Sequence, residues 1–259
     1  MNLDLYFNNE NEKPLDNFIQ SGGGMVSIFR TIGCVGDSLS SGEFECVSDE
    51  GITGWHDFYE YSWGQFMARA AGSKVYNFSR GGMTARAFND GFGDKCGAWK
   101  YENTCQAYIM ALGVNDIGDG SKLGTKEDID KNNETFVSNY AVIIRKLKRR
   151  QPEAKFFLIT IPRSNKTPES EALRDRHAEL IYEIAGAFKN CYVIDLRKYA
   201  PVFDEEFKKK FFLVGHMNPA GYLLFSQMVI SYIDYIIRHN MEDFKQIGFI
   251  GTPYHSEKE

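Results

Sequence analysis

Short apolar runs recur along this chain, and most are cut off by a residue that cannot continue them. Thr31–Val35 ends at Gly36, Ala107–Leu112 at Gly113, Phe156–Ile161 at Pro162 and Cys191–Ile194 at Asp195, with a shorter run at Lys74–Phe78. Segments of helical spacing lie between them: Tyr61–Ala71, the start of one at Met83–Phe88, Lys126–Arg150, Glu169–Phe188 and Phe203–Phe211. A last long helix begins at Asn218-Pro219, where asparagine caps and proline fits the first turn. Strands of this length alternating with helices need crossover connections, which yield parallel pairing. The expected fold is therefore α/β, a parallel sheet of about five strands with helices on both faces. Residues 1–24 read as an N-terminal extension closed by the flexible Ser21-Gly22-Gly23-Gly24, with Asp4–Phe7 as a possible edge strand. The domain proper spans 25–240, and 241–259 is a tail without clear pattern.

Composition removes some functions. A net charge of −5 argues against a nucleic-acid surface. The basic cluster Arg145–Arg150 is read as a helix end matched to its dipole, with Asp128 and Asp130 near the start. No run of about 18 apolar residues suggests a membrane span. The first 20 residues lack the basic-then-apolar pattern of a secretory signal, so a cytoplasmic location is the expectation. Five cysteines, Cys34, Cys46, Cys96, Cys105 and Cys191, show no metal-ligand spacing; Cys34 and Cys191 are expected as buried thiols. Neither a metal nor an organic cofactor is implied.

In open parallel sheets, ligands bind beyond the carboxyl ends of the strands. Ser38 stands there in Gly36-Asp37-Ser38-Leu39, a first candidate nucleophile. Acyl transfer by serine needs a base at the hydroxyl and donors aimed at the oxyanion. Three other boundary segments offer these groups. Asn77–Thr84 offers the bare backbone N–H of Gly82, Gly113–Asp116 offers the Asn115 amide, and Val214–Pro219 offers His216.

In their order and residues these four segments resemble the sequence blocks of the SGNH (GDSL-type) hydrolases, over residues 31–222. The resemblance implies a flavodoxin-like three-layer sandwich and hydrolysis of a small acyl ester, such as an O-acetyl group on a carbohydrate or lipid. It implies Ser38 as nucleophile and His216 as general base, then acid. The oxyanion hole would combine the N–H groups of Ser38 and Gly82 with the Asn115 side chain. One position departs from the family. An aspartate usually stands three residues before the histidine, and here that residue is Leu213. Either a main-chain carbonyl orients His216, the reading preferred from sequence, or Asp204, Glu205 or Glu206 does; a catalytically dead site is the third option.

Other candidates have ordinary readings. Asp37 braces the turn at Ser38, Asp116 caps a turn after Asn115, and Asp195 anchors a strand end. His56, His177, His239 and His255 read as surface or packed residues. Trp55, Phe58 and Trp63 read as core, although Trp55 in a glycine-flanked loop could stack on a sugar. Arg80, beside Gly82, reads as solvated or as a substrate contact. Two rivals to the esterase remain from sequence: a carbohydrate-binding protein without catalysis, and magnesium-dependent phosphoryl transfer through Asp37.

Overall fold

The computed structural model describes residues 2–248. Its centre is a parallel sheet of five strands in the order β4-β1-β5-β6-β7: β1 (Thr31–Gly36), β4 (Lys74–Ser79), β5 (Ala107–Ala111), β6 (Lys155–Ile159) and β7 (Cys191–Ile194). All four pairings are parallel. Two further strands, β2 (Glu43–Val47) and β3 (Thr53–Asp57), form a separate antiparallel hairpin. Among the sheet strands the chain reverses direction across the sheet at β1, between β4 and β5. A crevice at the carboxyl ends of strands forms where strand order reverses.

Side-chain alternation assigns each strand residue to a layer. Ile32 and Cys34, Ala107 and Ile109, and Phe157 and Ile159 belong to one core; Val35, Tyr108 and Met110, and Phe156 and Leu158 belong to the other. The helices follow in chain order as α1 (Leu3–Phe7), α2 (Ser38–Ser41), α3 (Trp63–Ala71), α4 (Ala85–Ala87), α5 (Gly93–Lys95), α6 (Val114–Gly118), α7 (Phe136–Arg150), α8 (Pro168–Ala187), α9 (Leu196–Tyr199), α10 (Glu205–Phe211) and α11 (Pro219–His239). Buried residues of α3 and α11 contribute to the first core, and those of α7 and α8 to the second. The result is the three-layer α/β fold expected from the spacing of the runs.

Helix α11 is apolar around most of its circumference because it is enclosed on several sides. It has the length and composition to cross a bilayer, and 72% of its most apolar window is buried inside the fold. Each fully buried Ile, Val or Phe there is worth roughly 1.5–3 kcal/mol. The segment before β1 lies on this helix. Glu12 Oε1 and Asp234 Oδ2 both pair with the buried Arg238 guanidinium, at 2.6 and 2.7 Å, and Ile19 N–H donates to Ser231 Oγ.

Three local expectations are corrected. Asp4–Phe7 lies within α1 rather than an edge strand, because Asn2 caps that helix by accepting from Asp4 N–H. Helix α7 starts at Phe136 instead of Lys126. Asp128 accepts from Thr125 N–H, Asn133 Nδ2 and Lys131 Nζ, and Thr135 caps the helix at Ser138. Those polar side chains offer the backbone alternatives to helix, so only a 3₁₀ turn (Lys126–Asp128) forms before the cap. The stretch from Glu43 to Glu60, without an assigned element from sequence, contains the β2–β3 hairpin.

Candidate active site

Strand β1 delivers Ser38 to the crevice as the first residue of α2. Asp37 is the N-cap: its Oδ1 accepts from Leu39 N–H at 3.0 Å, which agrees with the bracing role read from sequence. At 3% exposure, with its oxygen engaged, Asp37 is poorly placed as a phosphoryl nucleophile. Among the described residues, neither the Ser38 N–H nor the Gly82 N–H donates to the protein. Both are free for an oxyanion. Gly82 has φ +69, a left-handed conformation that favours glycine. The Asn115 amide donates to Met83 O at 3.2 Å, which ties the β5 loop to the β4 loop. Asp116 accepts from Ala85 N–H at 3.1 Å, so it caps α4 across the loop instead of its own turn.

His216 sits between two glutamates. Its Nδ1 lies 3.0 Å from Glu45 Oε2, and its Nε2 lies 3.1 Å from Glu43 Oε1. Glu45 also accepts from Gly215 N–H at 2.7 Å, so one oxygen holds both the ring and the loop that carries it. The partner of Nδ1 is thus a carboxylate from β2. It is not the main-chain carbonyl preferred from sequence, nor an acid of α10. Asp204 caps α10, while Glu205 and Glu206 pair with Lys208 and Lys209. Leu213 is 53% exposed, and its N–H donates to His216 O.

The hairpin explains how Glu45 arrives there. Side chains two apart on a strand share a face, as do directly opposed residues of an antiparallel pair. Glu43 opposes Asp57 and Glu45 opposes Trp55, so these four share one face, the one turned to His216. Phe44, on the other face, packs against Tyr222, whose hydroxyl donates to Glu43 O at 2.6 Å. Burial, with Asp57 and Glu45 nearby, raises the Glu43 carboxyl above its ordinary range, and His216 opposes that shift. The sequence did carry a signal for this hairpin. Glu43-Phe44-Glu45-Cys46 alternates polar and apolar residues ahead of Asp49-Glu50-Gly51, and Gly51 has φ +79.

Other candidates stand as follows. Arg80 lies over the Phe92 ring, and His56 is exposed on β3. His177 is fully buried, its Nε2–H donating to Leu112 O at 3.1 Å, and burial lowers its pKa to about 4. Asp195 caps α9 and accepts from Thr160 and Tyr182. Trp63 is core, as expected, whereas Trp55 and Phe58 are 58% and 52% exposed. Cys34 is buried and Cys191 partly so. His255 lies outside the described residues.

A cavity of about 180 Å³ opens beside these groups. Its wall includes Asp37 and Leu39, either side of Ser38, and Gly215, next to His216. The Ser38 loop and the His216 loop therefore border one space. His216 Nε2 is engaged with Glu43 rather than Ser38, so the Ser–His hydrogen bond is not made in this state. Such bonds are often long in unliganded enzymes and close with substrate.

Burial raises the Asp37 pKa to about 7, against the Leu39 N–H bond that lowers it. The unfolded chain releases this proton near pH 4 and the folded chain near pH 7, so folding stability falls as pH rises between the two. Asparagine caps as well as aspartate and does not titrate. Asp37→Asn should therefore melt several degrees above wild type at pH 8, with the gap closing towards pH 4. Thermal melts at both pH values check this; a gap independent of pH would refute the assignment.

Comparison with known proteins agrees with the fold. The sequence model of the GDSL-like lipase/acylhydrolase family matches residues 34–224. No match is found among curated proteins. Similar solved structures include a family two carbohydrate esterase from Clostridium thermocellum in complex with cellohexaose. It is 14% identical, with TM-score 0.59, over 80% of this chain and 64% of that one. A carbohydrate esterase family 2 enzyme from Corynascus thermopiles is 16% identical, with TM-score 0.54, over 79% of this chain and 65% of that one. A GDSL-like protein from Bacteroides uniformis is 17% identical, with TM-score 0.51, over 77% of this chain and 93% of that one.

Proposed function

The chain belongs to the GDSL-like lipase/acylhydrolase family, and on that footing we propose that it is a serine esterase releasing a small acyl group from a hydroxyl, with a carbohydrate as the alcohol. The observation that carries the reading is the pairing of His216 Nδ1 with Glu45 Oε2 at 3.0 Å, in a loop that borders the same cavity as the Ser38 turn. A carboxylate on Nδ1 keeps that nitrogen protonated and leaves Nε2 to accept a proton. In the reaction, the proton shared in the resting contact stays on Glu43 as Nε2 leaves it, and Nε2 takes the Ser38 Oγ proton as the oxygen attacks the ester carbonyl. The oxyanion is met by the free N–H groups of Ser38 and Gly82 and by the Asn115 amide. His216 then protonates the departing alcohol, and a water activated by the same ring hydrolyses the acyl-enzyme.

The alcohol departs on the side of His216, where the hairpin face stands. The exposed Trp55 ring, beside the carboxylates Glu43, Glu45 and Asp57, suits a sugar: an apolar face for the pyranose and acceptors for its hydroxyls. Carbohydrate esterases of similar fold support that choice of alcohol. An activated serine reacts with a fluorophosphonate, whereas an ordinary one does not. Wild-type protein should be labelled stoichiometrically, with the adduct located at Ser38 by mass spectrometry of the digest. Failure to label, or an adduct at another residue, would remove the esterase and favour a binding protein of the same fold.

A further inference from the structure

The cavity beside Ser38 is lined by apolar side chains and by three cations. Leu39, Ala111, Val114, Ile159, Phe203 and Phe212 supply the walls. Lys166, Arg174 and Lys208 also line it, and the acidic group in the wall is Asp37, whose pKa lies near neutrality. Three cations about one small cavity run against the net charge of −5 for the whole chain.

Arg174 is the informative member. It is 9% exposed, and burial lowers its pKa while Glu171 opposes that shift from beyond ion-pair distance, so a closer counter-charge would stabilise it. Among the described residues no carboxylate lies within ion-pair distance. Its hydrogen bonds run from Nη1 alone, to Ser164 Oγ at 2.8 Å and Pro162 O at 3.4 Å. Among the described residues, Nε and Nη2 have no hydrogen-bond partner. The neighbouring acid on the same helix, Glu171, is committed elsewhere, pairing with Arg197 at 2.9 Å and accepting from Ser164. Asp175 likewise pairs with Arg197, at 2.6 Å. Lys208 is paired with Glu205, whereas Lys166 Nζ has no ion-pair partner among the described residues. Arg174, with two guanidinium nitrogens unpartnered among the described residues, and Lys166 thus both line a largely apolar cavity.

We infer that the acyl half of the substrate carries a terminal carboxylate, which Arg174 and Lys166 bind. The inference rests on the esterase reading for its orientation: the alcohol lies towards His216 and Trp55, so the acyl chain extends into the cavity. From the end of β1 to the end of β6 is two strand spacings, about 10 Å. An apolar chain of several methylenes spans that distance before reaching the guanidinium. The substrate class is a monoester of a linear dicarboxylic acid. Ser38 Oγ bonds to the ester carbonyl carbon, the alcohol leaves with the proton from His216, and water releases the dicarboxylic acid. The distal carboxylate changes no bond.

Two arms of one experiment separate this inference from the esterase reading. In the first, Ser38→Ala protein is titrated calorimetrically with adipate and with hexanoate, which differ only in the far carboxylate. Adipate should bind about tenfold tighter or more, as a charge-assisted hydrogen bond implies. Adding Arg174→Leu should erase the difference and adding Lys166→Gln should reduce it. If Arg174→Leu fails to fold, Arg174→Lys, which keeps the charge without the fork, takes its place with partial loss expected. In the second arm, wild-type kcat/KM is compared for p-nitrophenyl hydrogen adipate and p-nitrophenyl hexanoate, with the charged ester favoured. Equal binding of the two acids, or a preference unchanged by either substitution, overturns the carboxylate subsite. Adipate-selective binding with neither ester hydrolysed leaves the subsite standing and sinks the esterase.

Discussion

Ser38→Ala is expected to lower kcat/KM for p-nitrophenyl acetate by about 10⁴–10⁶, the range in which serine hydrolases lose their nucleophile. The fold should survive. The Ser38 hydroxyl holds nothing in place, since α2 is capped by Asp37 and the Ser38 carbonyl accepts from Ser41 Oγ at 3.2 Å whatever the side chain. Alanine is also a good residue for a first helical turn. His216→Ala should cost about as much, and the double variant should cost no more than either single one, because nucleophile and base act as a unit. Steady-state kinetics with circular dichroism and thermal melts check this. Independent, additive losses would mean that the two residues do not share a proton. Ser38→Ala retaining activity within tenfold of wild type would place the chemistry elsewhere.

The sheet was readable because its strands are buried on both faces. Burial makes Ala107–Leu112 and Phe156–Ile161 continuous apolar runs, and the crevice then interrupts each one with Gly113 or Pro162. Crossover helices between such runs leave few topologies, though the strand order itself comes from the structure. Helix α11 was equally plain, from its cap Asn218 to its enclosed circumference. The start of α7 was hidden because Thr125, Asp128, Asn133 and Thr135 satisfy backbone groups through side chains, an arrangement that hydrophobic spacing does not register. The same holds for the site. Ser38, Gly82, Asn115 and His216 each announce themselves at the end of an element. Glu45 is brought to His216 across 171 residues, by a hairpin in an acidic, aromatic stretch to which the sequence reading assigns no element. Its alternation was visible. Which of the two faces would meet the histidine depends on Phe44 packing against Tyr222, a tertiary fact.

Glu45 is where the second large effect is expected. Its Oε2 accepts from both His216 Nδ1 and Gly215 N–H, so it sets the ring's tautomer and the position of its loop together. A glutamine there can still accept from Gly215 N–H and Nδ1–H through its amide oxygen, but it removes the negative charge that stabilises the imidazolium formed when Nε2 takes the Ser38 proton. In serine hydrolases that exchange costs up to about 10⁴ in kcat. Glu45→Gln should therefore lower kcat by about 10²–10⁴ with KM little changed, since the loss falls on the transition state. Glu45→Asp, shorter by one methylene, should recover part of it. Glu43 gives the control. Its carboxylate engages Nε2 only in the resting arrangement, so Glu43→Gln should cost at least tenfold less than Glu45→Gln. A pure structural brace would lose stability in proportion to activity, so melting temperatures are read beside kcat across the series. If Glu43→Gln proves the more damaging of the pair, the orienting acid has been assigned to the wrong side of the ring, and the proton would have to travel through Nδ1.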